Sequence, residues 1–438
     1  MSHVPVEVLR VLAWGRQIGA LAASPRAPFA TFQYDRAHLA DGPELAPLLM
    51  PHTAGERLYT FRDLDPSVFR GLPPLLADSL PDSFGGALTE AYLGQLGVLP
   101  RDLTGLDRLA YLGDRGLGAL TFEPDLGAGL RRPTVLSLAE LMAAARQVVV
   151  GDLTDTEGRR DAIRQLQGVG TSAGGAQAKA LVSWNRSTGE VLAGPTAGPA
   201  FEPWLLKFDL AAPPGLPARG GAGRIEYAYH TMAQAAGIEV PEARLLDESG
   251  RAHFMVRRFD FDSDGHRLHQ QSLCAVAGLD FTILGAHCAA QVFQVADSLG
   301  LGAASRKEIL RRVAFNVLAG NRDDHPKNHA FLMDQSGKWG LAPAYDLTFA
   351  HDPHNPWLAG HHLAVESKIT AITRKDVMTL ADRCSVPGAA AVIDQVEDAV
   401  GCWPDHARSA SVPGAAAQAV AADLASLRMD WQSRPARR

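Results

Sequence analysis

The residues that could do chemistry concentrate in one decapeptide, Gly320-Asn321-Arg322-Asp323-Asp324-His325-Pro326-Lys327-Asn328-His329. Carboxylate, imidazole, ammonium and amide groups at this density are costly to bury and add little to packing, so they point to a site rather than to a core. Asp323 and Asn328 stand five residues apart. Such a pair offers a carboxylate to take a proton from an incoming hydroxyl and an oxygen ligand for a divalent cation on phosphates. Lys327, lying between them, can meet a transferring phosphoryl group. A second chemistry is open to the same region. Asp323, Asp324, His325 and His329, with Asp346, His351 and His354 beyond, are the ligand types of a mono- or dinuclear hydrolytic metal centre.

Order along the chain favours phosphoryl transfer. Protein kinases carry an Asp and an Asn at this same spacing in their catalytic loop, and a later Asp that is the main Mg²⁺ ligand. Asp346 lies 23 residues after Asp323, within Ala344-Tyr345-Asp346-Leu347-Thr348. Upstream, Lys207 sits inside the apolar run Trp204-Leu205-Leu206-Lys207-Phe208, where a lysine is costly unless paired or functional. Glu226, on the helix expected next, is its natural partner, and in kinases such a pair sets the lysine on the α- and β-phosphates. The Gly-rich run at 168–177 precedes both and can cover phosphates with backbone N–H groups. The hydrolase alternative has neither an HxH nor an HExxH motif to support it. Pro326 also disfavours a helix that would put His325 and His329 on one face. A kinase fold that binds without catalysing is the remaining alternative, although every expected catalytic residue type is present.

Lysine usage adds a pointer. Of the 42 basic residues only seven are lysine, and none precedes Lys179. A chain that uses arginine for generic positive charge keeps lysine where a compact, point-like charge is needed.

The elements that must hold these groups in place can be read from pattern. A chain of 438 residues exceeds one compact core, so two or three domains are expected. A hairpin around Trp14-Gly15-Arg16 and a strand at 29–34 open it. Residues 75–96 are helical in parts, with a new start at Leu80-Pro81-Asp82-Ser83. A Pro/Gly-rich stretch at 123–129 marks the first boundary. Then come a helix over 137–149 capped by Ser137, strands at 179–184 and 204–208, a helix over 225–236 stopped by Gly237, and a hairpin across 243–259. From about 262 the chain turns helical, clearest at 286–299, 305–320, after Thr373, and at 415–427. The expected division is 1–130, 131–261 with the Gly-rich loop, and 262–438 with the catalytic loop; the fold class is α+β. Trp204, Trp339 and Trp357 read as packing residues. His361-His362 and His351-Asp352-Pro353-His354 read as loops near the active cleft.

Composition bounds the partners. With 46% apolar and 21% charged residues the chain is globular. A net charge of -6 gives no global attraction to nucleic acid or anionic membrane. The four cysteines, Cys274, Cys288, Cys384 and Cys402, show no metal-ligand spacing and fit a reducing compartment. No run approaches 18 apolar residues, and Glu7, Arg10, Arg16 and Gln17 interrupt what a signal peptide would need. A soluble, cytoplasmic protein is expected.

Taken together, the motifs resemble the HipA-type serine/threonine kinases, the toxin components of bacterial toxin–antitoxin pairs. The resemblance is carried by Ser172-Ala173-Gly174-Gly175-Ala176-Gln177-Ala178-Lys179, Trp204-Leu205-Leu206-Lys207-Phe208, Glu226-Tyr227, Val256-Arg257-Arg258-Phe259-Asp260, Asp323-Asp324-His325-Pro326-Lys327-Asn328 and Tyr345-Asp346. Trp14-Gly15-Arg16-Gln17-Ile18-Gly19, Phe32-Gln33-Tyr34 and Leu80-Pro81-Asp82-Ser83 extend it toward the N-terminus. It implies a bilobal protein-kinase-like fold with an added N-terminal α/β subdomain and a mostly helical C-lobe. It also implies ATP and Mg²⁺ as cofactors, Asp323 as catalytic Asp assisted by Lys327, and Asn328 and Asp346 as metal ligands. Lys207, supported by Glu226, would take phosphates, Gly174, Gly175 and Ala176 would cover the nucleotide, and Arg257 and Phe259 would offer hinge backbone to adenine. Ser172 would be a regulatory autophosphorylation site. A protein substrate such as an aminoacyl-tRNA synthetase is implied, as is a small helix-turn-helix antitoxin that would supply any DNA contact. Asp324 stands where the best-known member has Gly, and the five-residue spacing selects Asp323 as the base. The stretch Leu268 to Cys274 lacks the acidic pair found there, which bears on substrate preference.

Overall fold

Buried Leu9, Val11 and Ala13 alternate with more exposed neighbours along Val8–Ala13 (β1), the two-residue period of a half-buried strand. Trp14 and Gly15 follow at φ +50° and +76°, the left-handed pair a tight hairpin turn requires, and the chain returns as Arg16–Ala22 (β2). Thr31–Tyr34 (β3) and Leu120–Glu123 (β4) complete an antiparallel sheet ordered β3-β2-β1-β4. The expected hairpin is therefore present. The edge strand β4, whose residues alternate between buried and half-buried, is an addition to the sequence reading.

The computed structural model describes residues 4–23, 28–81, 83–127, 138–149, 156–169, 177–194, 200–210, 221–248 and 250–433. The chain divides into two units, one of Met1–Leu210, Met255–Gln271 and Leu332–Lys338, the other of Ala211–Phe254, Ser272–Phe331 and Trp339–Arg438.

In the first unit the helix Gly105–Leu112 starts from a capping box. Thr104 N–H donates to Asp107 Oδ2 at 2.9 Å and Asp107 N–H donates to Thr104 Oγ1 at 3.1 Å. Asp107 Oδ1 also accepts from Val6 N–H at 2.9 Å, which ties the start of the chain to that helix. Helices Ser83–Gln95 and Leu138–Val149 form where expected, although the cap Ser137 lies outside the described residues. The helix Thr156–Val169 is mostly polar and buries Ala162, Ile163 and Leu166 along one face. Strands Lys179–Trp184 (β5), Val191–Ala193 (β6) and Glu202–Lys207 (β7) then run antiparallel in the order β6-β5-β7. All six β5 residues are buried, so this strand reads as a continuous run rather than as an alternation.

In the second unit the helix Ala222–Ala235 begins three residues before the expected Ile225, because Gly221 at φ +94° already turns the chain into it. Gly237, at φ +77°, ends it as expected. Ala243–Glu248 (β8) and the start of Arg251–Arg257 (β9) form the predicted hairpin. The end of β9 belongs to the first unit, where the following Arg258 N–H donates to Pro203 O of β7 at 3.0 Å.

The second unit's core gathers Phe315, Leu380, Ile393, Val396, Trp403 and Trp431 from the helices Ala303–Leu318, Arg374–Arg383, Ala389–Gly401, Trp403–Ser409 and Gly414–Gln432. Thr373 and Asp376 form the predicted capping box. One expectation is corrected. The helix read over 286–299 is shortened to Ala290–Ser298, because His287–Cys288 instead pairs as a short parallel strand with Leu363–Ala364. A partner 76 residues away leaves no local trace. Among the described residues no helix is long and apolar enough to cross a membrane, and all four cysteines are free thiols. The mixture of antiparallel sheets and a helical unit is α+β, as the sequence predicts.

Candidate active site

The helix Ala303–Leu318 delivers the chain to the decapeptide. Gly320, at φ +64°, breaks it, and Asn321 N–H donates back to Asn316 O at 2.9 Å. The Asn321 amide reaches Asn316 Oδ1 at 3.0 Å and the Asp346 carbonyl at 3.4 Å. Tyr345 OH donates to Lys327 O at 2.5 Å. These bonds hold the Asp346 segment beside the loop that carries Asp323, Lys327 and Asn328. Pro326–Asn328 is a single 3₁₀ turn, whose tightness brings Asn328 back toward Asp323. The Asn328 side-chain N–H donates to Asp323 O at 2.6 Å, which fixes the amide and leaves its Oδ1 as the atom for a cation. Asp346 sits at φ +53°, a left-handed conformation that Asp tolerates better than most residues and that marks a constrained position. Lys327 Nζ lies 4.7 Å from the Phe281 ring centroid.

The two adjacent carboxylates have different surroundings. Asp324 is buried, with Oδ2 2.9 Å from His361 Nδ1 and Oδ1 accepting the His362 N–H at 2.7 Å. Asp323 keeps 38% of its side chain exposed, with His325 Nε2 3.6 Å from its Oδ1. Asp324 is thus a brace on the 361–362 segment, and Asp323 is the carboxylate that solvent can reach. His329 is buried and its imidazole is pushed down to about 4, by burial first and by Arg312 second. His351 lies 3.7 Å from Asp423 on the last helix. Of the candidate hydrolase ligands, Asp324 is thus turned to His361 and His362, and His351 to Asp423.

Trp357 corrects the sequence reading. It was expected only to pack, yet its indole Nε1–H donates to Asp323 Oδ1 at 2.7 Å. Its own N–H donates to Asn355 Oδ1 at 3.0 Å, and its carbonyl accepts from His362 Nε2 at 3.0 Å.

The residues that the sequence reading assigns to nucleotide lie mostly in the first unit. Lys207 ends β7, is 6% exposed, and has Lys179 of β5 directly opposite in the ladder, itself 2% exposed. Directly opposed residues of an antiparallel pair project from the same face, and like charges there are tolerated only with negative charge beside them. The sequence reading gives Lys179 no role of its own, although it is the first lysine of the chain and closes the Gly-rich motif. Arg257 and Phe259 follow each other half-buried at the end of β9, alternating with buried Arg258 and Asp260. Arg258 forks onto Asp260, Nε to Oδ1 at 2.9 Å and Nη2 to Oδ2 at 2.6 Å. Burial would push the Asp260 carboxyl up, but this guanidinium, with Arg267 and the Gly118 N–H, holds it below the ordinary range. Glu226 is buried on its helix in the second unit. Gly174, Gly175, Ala176 and Ser172 lie outside the described residues.

The profile of the HipA-like C-terminal domain matches residues 171–403, and that of the HipA N-terminal domain matches residues 9–123. The chain belongs to the HipA family. Its relatives include Y4mE of Sinorhizobium fredii, a protein provisionally named a kinase, 30% identical over 300 residues that cover 63% of this chain and 66% of that one. Y4dM of the same organism, named likewise, is 25% identical over 255 residues, covering 52% and 57%. The matches span just under two thirds of these relatives or less. Among solved structures, the Shewanella oneidensis MR-1 complex of HipA, HipB and operator DNA matches with a TM-score of 0.66 at 16% identity, covering 96% of each chain. That likeness establishes a HipA fold along nearly the whole chain.

Proposed function

We propose that this HipA-family chain is an ATP- and Mg²⁺-dependent serine/threonine protein kinase that acts as the toxin of a toxin–antitoxin pair. The observation that carries the proposal is the division of labour in the decapeptide: Asp323 accessible, Asp324 wholly engaged, and Asn328 locked onto the Asp323 backbone. The kinase names of its relatives agree with it.

In this reading the Asp323 carboxylate orients a substrate hydroxyl and accepts its proton as the oxygen attacks the γ-phosphorus, while the bond to the β,γ-bridging oxygen breaks and ADP leaves with that electron pair. Lys327 balances charge on the moving phosphoryl group. Lys179 and Lys207 hold the phosphate chain, with Glu226 supporting Lys207 and Gly174, Gly175 and Ala176 covering the nucleotide. Arg257 and Phe259 would seat the adenine by their backbone groups. Asn328 Oδ1 and the Asp346 carboxylate fit a hard cation, and Mg²⁺ held there would neutralise phosphate charge. Ser172 would accept a phosphate from the protein's own active site. The named HipB and operator DNA of the structural neighbour suggest a comparable DNA-binding antitoxin here, which an acidic chain would need to reach DNA.

Incubation with radiolabelled ATP and Mg²⁺ tests the proposal. Transfer to protein supports it, whereas nucleotide binding without transfer would identify a binding protein instead.

A further inference from the structure

We propose that Trp357 is a positioning residue whose indole N–H fixes the rotamer of the Asp323 carboxylate. The proposal rests on the kinase reading above. An indole nitrogen donates and never accepts, so at 2.7 Å from Oδ1 it orients the carboxylate without competing for the proton that must be taken up. His325 Nε2 also lies on the Oδ1 side, at 3.6 Å. Oδ2 is thereby the oxygen left to receive the substrate hydroxyl.

The clamp is built into the fold. On one side, Trp357 N–H is held by Asn355 Oδ1. On the other, the carbonyls of Leu358 and Ala359 accept from Arg322 Nη1 at 3.2 and 2.9 Å, and Arg322 immediately precedes Asp323. Further along, the His362 backbone N–H is bonded to Asp324, the residue after Asp323. The indole thus rides on a segment anchored to the two neighbours of the carboxylate it touches. Its ring packs against His362 at 4.2 Å, His325 at 5.9 Å and Phe281 at 6.5 Å between centroids. Packing alone would be served by phenylalanine; the N–H on a half-exposed carboxylate is the part that packing leaves unexplained. A carboxylate free to rotate loses the alignment on which proton transfer depends, and small misplacements of catalytic groups cost up to about 100-fold in rate.

The test replaces Trp357 in the full chain by β-(3-benzothienyl)alanine, which keeps the bicyclic ring but puts sulfur in place of N–H, and separately by phenylalanine. Both should lower kcat roughly tenfold or more while KM for MgATP stays within about twofold. In an Asp323→Ala background the indole Nε1–H resonance of Trp357 should move from its wild-type position. A benzothienylalanine protein with wild-type kcat, beside an active wild type, overturns this proposal alone. Absence of transfer by the wild type overturns the kinase reading and this proposal with it.

Discussion

At the scale of single residues, neighbours in sequence have opposite tasks. Asp323 should act on the hydroxyl only as the transition state forms, so Asp323→Ala should abolish transfer while MgATP affinity, read by titration calorimetry, is retained. Asp346→Asn keeps a side chain that tolerates φ +53° but removes a charge from the cation site. It should weaken MgATP binding itself, and unchanged affinity would take Asp346 out of the metal site. Lys207→Arg conserves charge but exchanges a compact ammonium for a planar fork in a buried position opposite Lys179. Most activity should be lost, and a fully active Lys207→Arg protein would return that lysine to a structural role.

At the scale of elements, close approach decides what a substitution does. Gly223, on the helix that carries Glu226, lies against β9 so closely that an added Cβ would overlap the Ala252 carbonyl oxygen. Gly223→Ala should therefore destabilise by about 1–3 kcal/mol despite alanine's better helix propensity. Gly414, at the start of the last helix, has nothing within 4 Å of such a Cβ, and Gly414→Ala should be neutral or stabilise by up to about 1 kcal/mol. Urea unfolding of the two variants gives the signs directly. For the Gly-rich loop, wild-type protein with Mg²⁺ and ATP should gain phosphate on Ser172, seen by peptide mass spectrometry, and the Asp323→Ala protein should not. The added charge of about -1.5 to -2 should then repel nucleotide, so Ser172→Asp should bind ATP poorly.

At the scale of the whole molecule, buried histidines set an acid limit. Burial is the first cause pushing His230, His269 and His329 down to about 4 from an ordinary 6.5. Below pH 6.5 the unfolded chain takes up protons at these positions while the folded one does not. Stability is therefore fully present above 6.5 and falls as the pH drops toward 4, by at most about 1.4 kcal/mol per pH unit for each histidine. His269 lies in one unit and His230 and His329 in the other, so both should weaken together. Urea midpoints at pH 7.5 and 5.0 check this, and equal midpoints would contradict it.

Sequence by itself determined what local rules govern. The β1–β2 hairpin follows from two strand-like runs on either side of Trp14-Gly15, the Thr373 box from two groups three residues apart, and the kinase-like reading from the five-residue step between Asp323 and Asn328, which one short turn closes. Tertiary structure alone decided which carboxylate stays accessible, since His361 and His362 reach Asp324 from 37 and 38 residues away. It also placed Lys179 opposite Lys207 and moved Trp357 from a packing role to the side of Asp323, 34 residues distant. The physical reason is common to all three. A half-buried indole N–H, a buried carboxylate or a strand lysine needs a partner, but its own sequence neighbourhood states only the need, and packing of distant segments selects the partner.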